Sequence, residues 1–161
     1  MDIHGRILEL LQLNEVPFRH LHHPETMTSE ESAKVRGEPL AVGAKAIVMK
    51  LDDRFLLFVM SAARRVDSSL LRGHFGARKS RFATPEELFE LTGLVPGSVP
   101  PFGPPILNLP LYVDPSVLEN DRVAFNAGSL TDSVILRSDD YRRLASPTVL
   151  PFTKPSDGFV G

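Results

Sequence analysis

Apolar residues near the start of the chain recur at helical spacing. Four of them fall on one face of a helix: Ile3, Ile7, Leu10 and Leu11. This pattern predicts an amphipathic helix over residues 2–13. Asn14 and Glu15 interrupt the pattern, and residues 16–21 are predicted to be extended.

Two further helices are marked by a hydroxyl residue followed three positions later by a glutamate. Residues 28–31 (Thr-Ser-Glu-Glu) and 84–87 (Thr-Pro-Glu-Glu) form this capping box, in which the two residues satisfy each other's free N–H groups. The first predicts a helix over residues 29–36, and the second predicts a helix that stops at Gly93. Shorter helical segments are predicted at residues 66–75, 114–116 and 138–144.

Runs of apolar residues predict the strands. Residues 55–60 are apolar on both faces, which is typical of a central strand. Residues 41–51 are predicted to pair with them across a turn at Asp52 and Asp53. Because Pro110 lacks an N–H group, we expect the strand that contains it to be an edge strand or a bent one. The remaining predicted strands are residues 79–83, 106–113, 122–125 and 133–137.

Helices and strands mix without a regular βαβ rhythm, so a doubly wound parallel sheet is not expected. The predicted fold class is α+β (mixed α/β), with about seven strands in a curled, barrel-like mixed β-sheet and short helices around it. The 161 residues fit one domain, which we assign to residues 1–147. Residues 148–161 are predicted to form a proline-containing tail that is poorly ordered or lies over the surface.

Composition argues against several classes of protein. The chain has no cysteine, which leaves no disulfide framework, thiolate nucleophile or thiolate metal site. Its start lacks a long apolar run and a cleavage site, so we expect no signal peptide, no membrane partner and a cytoplasmic location. The net charge of −2 and the lack of a helix-turn-helix pattern argue against DNA as a partner.

The charge is distributed unevenly. Residues 64–81 carry six Lys and Arg residues against one Asp, which gives +5, and the rest of the chain therefore carries −7. A local basic region on an acidic protein suits a partner whose phosphates are held at one place. The alternative interpretation is an ordinary solvated surface.

The stretch of residues 93–105 contains three glycines and five prolines in thirteen residues. Proline lacks the backbone N–H that a helix or sheet needs, and glycine weakens both structures because its backbone loses more conformational freedom on folding. A stretch of this composition therefore fits neither a helix nor a central strand. The apolar residues Leu94, Val95, Val99 and Phe102 argue against disorder. Two interpretations stay open: a proline-stiffened connector, or a pre-shaped loop whose free N–H groups point at a ligand.

Two other features carry candidate chemistry. Lys45 is a charged residue near the start of an apolar strand. Its side chain either reaches the surface or enters a cavity, where it would bind an anion or a polarised carbonyl. His20 and His22 share one face of an extended segment, and His23 points the other way. A zinc site needs three or four ligands, and His20 and His22 supply only two on one face. We therefore expect these histidines to lie at the surface or at a pocket rim, and we expect no bound metal.

Common catalytic motifs are missing from the sequence. It has no phosphate-binding loop and no Gly-x-Ser-x-Gly elbow, and Ser61, Ser98 and Ser129 have no identifiable base. What remains is Lys45, the glycine-proline loop and an Asn-Ala-Gly-Ser turn at residues 126–129. These groups suit oxyanion-type stabilisation, which is enough for an activated ester such as an aminoacyl ester.

Several stretches resemble a known family in their order and spacing. They are Gly-Ala-Lys-Ala-Ile-Val-Met-Lys at 43–50, Arg-Val-Asp at 65–67, Phe-Ala-Thr-Pro-Glu-Glu-Leu at 82–88, Thr-Gly-Leu-Val-Pro-Gly-Ser-Val-Pro-Pro-Phe-Gly at 92–103, and Ala-Gly-Ser at 127–129. Over roughly residues 1–145 the chain resembles the YbaK/prolyl-tRNA synthetase associated domain, the trans-editing aminoacyl-tRNA deacylases.

This resemblance implies a curled mixed α/β fold that hydrolyses a wrongly attached amino acid from tRNA, typically tRNA(Pro) carrying alanine or cysteine, without metal or cofactor. The family's lysine falls on Lys45, which is expected to contact the terminal adenosine or the ester. Its Gly-x-x-x-Pro loop falls on residues 97–101, whose N–H groups would hold the aminoacyl end. The catalytic residues assigned are Lys45, Gly97, Ser98 and Val99. The substrate-binding residues assigned are His22, Thr28, Pro100, Pro101, Phe102, Asn126, Gly128, Ser129 and Asp132.

The sequence departs from the family pattern in the pocket. Relatives that remove alanine carry a histidine where Asn126 stands. Relatives that remove cysteine carry an aspartate where Ser133 stands, and Asp132 comes one residue early. The identity of the amino acid removed therefore stays open between Ala, Cys, Ser and others. The nucleophile would be water or the substrate's own 2′-hydroxyl.

The resemblance also gives the basic region a role. The predicted tRNA contacts are Arg78, Lys79 and Arg81. Because the net charge of the chain is negative, we expect weak tRNA binding or help from a synthetase partner. A second function stays open, namely a non-enzymatic module that binds a nucleotide or small molecule, with Lys45 holding a phosphate. The missing histidine and the lack of a clear general base favour that alternative.

Overall fold

The computed structural model describes residues 1–156. The helices are α1 (Ile3–Leu13), α2 (Ser29–Arg36), α3 (Ser68–Phe75), α4 (Pro85–Thr92), α5 (Pro115–Leu118) and α6 (Ser138–Ala145). The strands are β1 (Phe18–His22), β2 (Ala44–Leu51), β3 (Arg54–Ser61), β4 (Arg64–Val66), β5 (Ser80–Phe82), β6 (Leu111–Val113), β7 (Arg122–Asn126), β8 (Asp132–Arg137), β9 (Thr148–Val149) and β10 (Thr153–Pro155). A 3₁₀ turn, Leu40–Val42, leads into β2.

Within residues 1–156 these strands form three sheets. The largest has the order β5-β2-β3-β6-β9, with β6 parallel to β3 and β9 and the other pairs antiparallel. The second, β1-β8-β7, is antiparallel, and the third pairs β10 with β4. A bridge between Gly43 and Ala124 brings the start of β2 next to β7. The mixed α/β class is confirmed. The described strands form no closed barrel, so the barrel-like curl stays a prediction.

The predicted helix signals are present. The Thr84 hydroxyl accepts from the Glu87 amide and the Glu87 carboxylate accepts from the Thr84 amide, which completes the capping box of α4. At α2 the Thr28 hydroxyl accepts from the Glu31 amide, but the Glu31 carboxylate accepts from the hydroxyl rather than from the Thr28 amide. Along residues 1–156, none of the helices has the length and apolar character that crossing a bilayer requires.

The prediction of a central strand at residues 55–60 is confirmed, because β3 lies between β2 and β6. Its two faces belong to two different cores. Leu57 and Val59 pack into the larger core, which also contains apolar residues of α1, β7 and β8. Leu56 and Phe58 pack on the opposite side, against Phe152 and other residues.

The prediction for residues 106–113 is partly wrong. The strand begins only at Leu111, and β6 is flanked by β3 and β9 rather than lying at an edge. Pro110 stands just before it, where its carbonyl oxygen accepts from the Leu57 amide at 2.9 Å. The chain therefore places the proline where a missing N–H does not interrupt the sheet.

The expectation of a poorly ordered or superficial tail is wrong for residues 148–155. There β9 extends the large sheet and β10 pairs with β4. Phe152, between the two strands, is fully buried. The boundary at residue 147 stays a prediction, and these contacts argue for a later one. Residues 157–161 of the predicted tail lie outside the described residues.

Candidate active site

A cavity of about 220 Å³ opens where α2, the start of β2 and the loop 93–105 meet. Five predicted site residues line it: Thr28, Lys45, Gly97, Val99 and Asn126. Much of the remaining wall is hydroxylated or small, and includes Thr26, Ser29, Ser32, Gly43 and Ala44. Lys45 and the glycine-proline loop therefore face the same cavity, as the sequence-based hypothesis requires.

Lys45 is half-buried near the start of β2. Its Nζ donates to the carbonyl oxygen of Arg64 over 3.5 Å, a long contact for a group that has three protons to donate. Desolvation lowers the pKa of Lys45, and the charge of Glu30 opposes that shift. A partly desolvated ammonium attracts an anion or a polarised carbonyl more strongly than one in water.

The loop presents backbone to the cavity at Gly97. Its φ of 89° lies in the region that favours glycine. Within residues 1–156, the Gly97 and Val99 amides have no acceptor. The Ser98 amide and hydroxyl both donate to the Val95 carbonyl, at 3.1 and 2.8 Å. Ser98, predicted to be catalytic, is thus buried and engaged within its own loop.

Asn126 ties the loop to the wall of the cavity. Its Nδ2 donates to the Gly97 carbonyl oxygen at 2.7 Å, and its Oδ1 accepts from Nη2 of Arg36 at 2.9 Å. The side-chain amide is therefore held from both ends, which fixes its orientation. Asn126 therefore fixes the position of the Gly97 backbone at the cavity wall.

Arg36 is a cavity residue that the sequence reasoning missed. It is buried at the end of α2, and its Nε donates to the Ser133 hydroxyl at 2.9 Å, which also contacts His23. Burial lowers the pKa of Arg36 to about 10, although the charge of Glu38 opposes the shift. The one available signal was that Ser32 and Arg36 lie four positions apart and so share a helix face.

Three predicted substrate-binding residues lie in the core instead of the cavity wall. Pro100, Pro101 and Phe102 are all buried. The Pro101 carbonyl accepts from the Tyr141 hydroxyl at 2.6 Å, and the Phe102 ring meets those of Phe125 and Tyr141 edge-on, with centroids 5.6 and 5.4 Å away. The second half of the loop is therefore an anchor.

Asp132 also lies away from the cavity, because neighbouring side chains in a strand point to opposite faces. Ser133 turns toward Arg36, whereas Asp132 accepts from His20 at 3.0 Å and from His22 at 3.1 Å. Of the two polar residues weighed from the sequence, Asn126 lines the cavity and Asp132 does not.

The β7–β8 turn supports this second cluster. Ser129 donates to Oδ2 of Asp132 at 2.9 Å. A Cβ at Gly128 would lie 3.0 Å from Cγ2 of Ile3, so glycine allows α1 to approach the turn. Burial raises the pKa of Asp132, but hydrogen bonds from His22, His20 and Ser129 outweigh it and leave the pKa well below its ordinary value.

The predicted tRNA contacts lie at the other end of β2 from Lys45. Arg78 and Lys79 are exposed, and their backbone amides donate to the Asp52 carboxylate. Arg81 forms a two-pronged ion pair with Glu87, at 2.7 and 3.0 Å, so part of its charge is already compensated. Arg78 and Lys79 are the better candidates for a phosphate contact.

Comparisons with known proteins find relatives of the whole chain. The family model of the aminoacyl-tRNA editing domain matches residues 23–144. The multifunctional Ser/Thr-tRNA deacylase ProXp-y of Escherichia coli (strain K12) is 38% identical over 158 residues, which cover 94% of this chain and 93% of that protein. A proline–tRNA ligase of Sulfurihydrogenibium sp. (strain YO3AOP1) is 34% identical over 104 residues, or 64% of this chain and 18% of the ligase.

A solved structure gives the same result. The crystal structure of a protein proposed to be a trans-editing enzyme for prolyl tRNA synthetase superposes with a TM-score of 0.80 at 26% identity. The superposition covers 96% of this chain and 98% of the other. The likeness therefore extends over the whole fold that surrounds the cavity.

Proposed function

Since the chain belongs to the aminoacyl-tRNA editing domain family and is an aminoacyl-tRNA deacylase, we propose that the cavity between Lys45 and Gly97 is the place where the ester is cleaved. One observation carries this assignment. Lys45, Gly97 and Val99 line one cavity, the lysine is half-buried, and the two backbone amides have no acceptor within residues 1–156. Such fixed donors stabilise the negative charge that develops on an ester oxygen.

In the proposed mechanism, the Gly97 and Val99 amides donate to the carbonyl oxygen of the ester as it becomes an oxyanion. Lys45 contacts the ester or the terminal adenosine and holds the substrate in place. Asn126 keeps the Gly97 backbone in position through its hydrogen bond at 2.7 Å. The donors are aligned before the substrate arrives, so little reorganisation is needed during the reaction.

The nucleophile is water. The neighbouring 2′-hydroxyl of the terminal ribose can orient that water, but attack by the hydroxyl itself would only transfer the aminoacyl group to another ribose oxygen. Among the described residues that line the cavity, none is an aspartate, glutamate or histidine, so the wall offers no ordinary general base. The water oxygen bonds to the ester carbon, the bond from that carbon to the ribose oxygen breaks, and the proton lost by the water ends on the ribose oxygen, which leaves as a hydroxyl group. The free amino acid and intact tRNA are the products.

We propose serine and threonine as the amino acids removed. The cavity wall carries the side-chain hydroxyls of Thr26, Thr28, Ser29 and Ser32, and Thr26 and Ser32 bond each other at 2.9 Å. A wall of this kind can exchange hydrogen bonds with a substrate hydroxyl, and a site built this way disfavours analogues that lack it. The Escherichia coli relative is named for the same two amino acids.

A panel of charged tRNAs tests this choice. We expect faster deacylation of seryl- and threonyl-tRNA than of alanyl-, cysteinyl- or prolyl-tRNA, each corrected for hydrolysis without enzyme. Preference for alanine or cysteine would overturn the amino-acid assignment and leave the cleavage site standing.

The cleavage site itself is tested by Lys45→Ala, with Lys50→Ala as the matched control. Both lysines are half-buried on β2, but Lys50 lies at the far end of the strand, over the Phe55 ring. We expect Lys45→Ala to fold normally and to lose deacylation, while Lys50→Ala keeps its turnover at saturating tRNA and changes at most the affinity for tRNA. Unchanged hydrolysis by the Lys45 variant would refute the role.

We further propose that the substrate is a mischarged tRNA(Pro) whose body lies along β2 toward Arg78 and Lys79. The reaction would take place in the cytoplasm, with help from a synthetase in binding the tRNA. Lys45 and Lys50 are five residues apart, which is about 16 Å of strand. Neutralising Arg78 and Lys79 should weaken tRNA binding and flatten its salt dependence. Equal salt slopes for variant and parent would exclude this region.

One observation favours a second candidate role for the cavity, the non-catalytic binding of a nucleotide or small molecule. Lys45 and the buried Arg36 both line the cavity, and its described wall contains no carboxylate. The charged-tRNA panel separates the two functions. Binding of the aminoacyl esters without turnover would support this second role and overturn the assignment of the cavity as the cleavage site.

A further inference from the structure

A second cluster of reactive side chains lies outside the cavity, on the outer face of β8. Nε2 of His20 is 3.0 Å from Oδ1 of Asp132, and Nε2 of His4 is 3.8 Å from the same oxygen. Together the three groups offer two imidazole nitrogens and one carboxylate oxygen within 4.8 Å of one another. They come from α1, β1 and β8, which explains why the sequence alone showed only a pair of histidines.

The hydrogen bond of His4 determines which of its two ring nitrogens faces the cluster. Nδ1 lies 2.9 Å from the Ala127 carbonyl oxygen. A carbonyl oxygen only accepts, so Nδ1 carries the proton, and a neutral ring presents the lone pair of Nε2 toward Asp132. Two acceptors that face each other call for a positive charge between them, either a proton or a metal ion.

The surroundings of Asp132 hold its carboxylate in one orientation. Oδ2 accepts from the hydroxyls of Ser129 at 2.9 Å and Thr131 at 3.3 Å. Oδ1 is left to the histidines. Ligands that are fixed by outer hydrogen bonds, including a histidine N–H bonded to a backbone carbonyl, are typical of protein metal sites.

We propose that His4, His20 and Asp132 bind a divalent transition-metal ion of the zinc type, with water in the fourth position. Zinc bonds to nitrogen and oxygen are about 2.0–2.2 Å long, which separates tetrahedral ligand atoms by roughly 3.4 Å. The separations of 3.0 and 3.8 Å from Oδ1 bracket that value. His22, whose Nδ1 is 3.1 Å from Oδ1, is highly exposed and supports the carboxylate from the rim.

The site links α1 to the β7–β8 turn, next to Asn126 of the cavity wall. Binding of an ion to the folded chain alone stabilises it by mass action. The expected consequence is therefore a rise in the unfolding temperature with Zn²⁺, independent of any substrate.

The test is a titration of the chelator-treated full-length protein with Zn²⁺, followed by calorimetry, and with Co²⁺, followed by visible absorption. We expect one saturable site, and we expect the bound Co²⁺ to absorb visible light with the intensity that is typical of a four-coordinate ion. His20→Ala and His4→Gln should each weaken binding by at least about tenfold, the scale on which site residues act. His74→Ala, which removes an exposed histidine of α3, is the control and should bind like the parent.

Two results would overturn the proposal. One is the lack of saturable binding by the parent. The other is loss of binding in His20→Ala but full retention in His4→Gln, since that pattern describes an exposed pair, His20 and His22, rather than a site built from three elements. Thermal unfolding of each variant without metal shows that it is folded before it is compared.

Discussion

The two ends of the segment 97–102, in the middle of the loop 93–105, have opposite surroundings. At Gly97 the backbone is exposed, adopts a φ of 89° and faces the cavity. Four residues later Pro101 is buried, and Phe102 packs edge-on against two rings of the core. One short segment therefore contains both the donors proposed for the ester and the anchor that holds them.

This difference shows what the unusual composition does. Glycine allows the left-handed backbone at the exposed end, and proline limits the conformations available to the chain between the two ends. The anchor restricts the motion of the donors without occupying the cavity. Substitutions at the anchored end should therefore reduce stability, and substitutions at the exposed end should reduce activity.

Phe102→Ala should have the largest effect. The ring is 2% exposed, and removing a buried phenylalanine costs about 3–5 kcal/mol of unfolding free energy. Chemical denaturation measures the change. Val95→Ala is the control on the same loop, because Val95 is 47% exposed and should change stability by less than about 0.5 kcal/mol. Equal losses in the two variants would contradict the division of the loop.

Much of the fold follows from local sequence signals. The helices α2 and α4 were predicted from their threonine caps and terminal glycines, and β3 from a run that is apolar on both faces. These signals act within a few residues. The strand β6 was misjudged because Pro110 was taken as part of it, and the buried Phe152 was missed because its partners are distant in sequence.

Site residues were predictable only where the residue type is unusual for the element that contains it. Lys45 and Gly97 stand out as a charge on an apolar strand and a glycine in a constrained loop, and the structure brings both to the cavity. Asp132 and Ser133 could not be assigned in this way, because a shift of one residue exchanges the two faces of a strand. Arg36 gave no distinct signal, since an arginine near a helix end is ordinarily exposed.

Asn126→Ala tests the exposed end. Without the amide, the Gly97 carbonyl loses its donor, and we expect kcat/KM to fall by roughly tenfold to a hundredfold because misplaced groups are costly in catalysis. Unfolding free energy should change by only about 1–2 kcal/mol. Asn120→Ala is the matched control, since Asn120 also donates to a backbone carbonyl, that of Ala41 at 3.0 Å. Equal deacylation by the two variants would exclude Asn126 as a positioning residue.

Tyr141→Phe tests the anchor with a smaller change. It leaves the Pro101 carbonyl without its donor, which should cost about 1–2 kcal/mol with kcat/KM little altered. Burial also raises the pKa of Tyr141. An unfolded tyrosine ionises near pH 10, so the parent should lose stability as the pH rises above that value. Denaturation at several pH values should show a shallower loss in Tyr141→Phe, and identical slopes would contradict this account.

Ser98→Ala should have the smallest effect, and it separates the loop's geometry from its chemistry. The Ser98 hydroxyl donates to the Val95 carbonyl at 2.8 Å, and Ser98 does not line the cavity. Its loss should cost about 1 kcal/mol of stability and leave deacylation within about twofold of the parent, because the proposed donors are the amides of Gly97 and Val99. Steady-state deacylation of seryl-tRNA measures this. A loss comparable to that of Lys45→Ala would make the hydroxyl itself a catalytic group, and the loop would then act through a side chain rather than through its backbone.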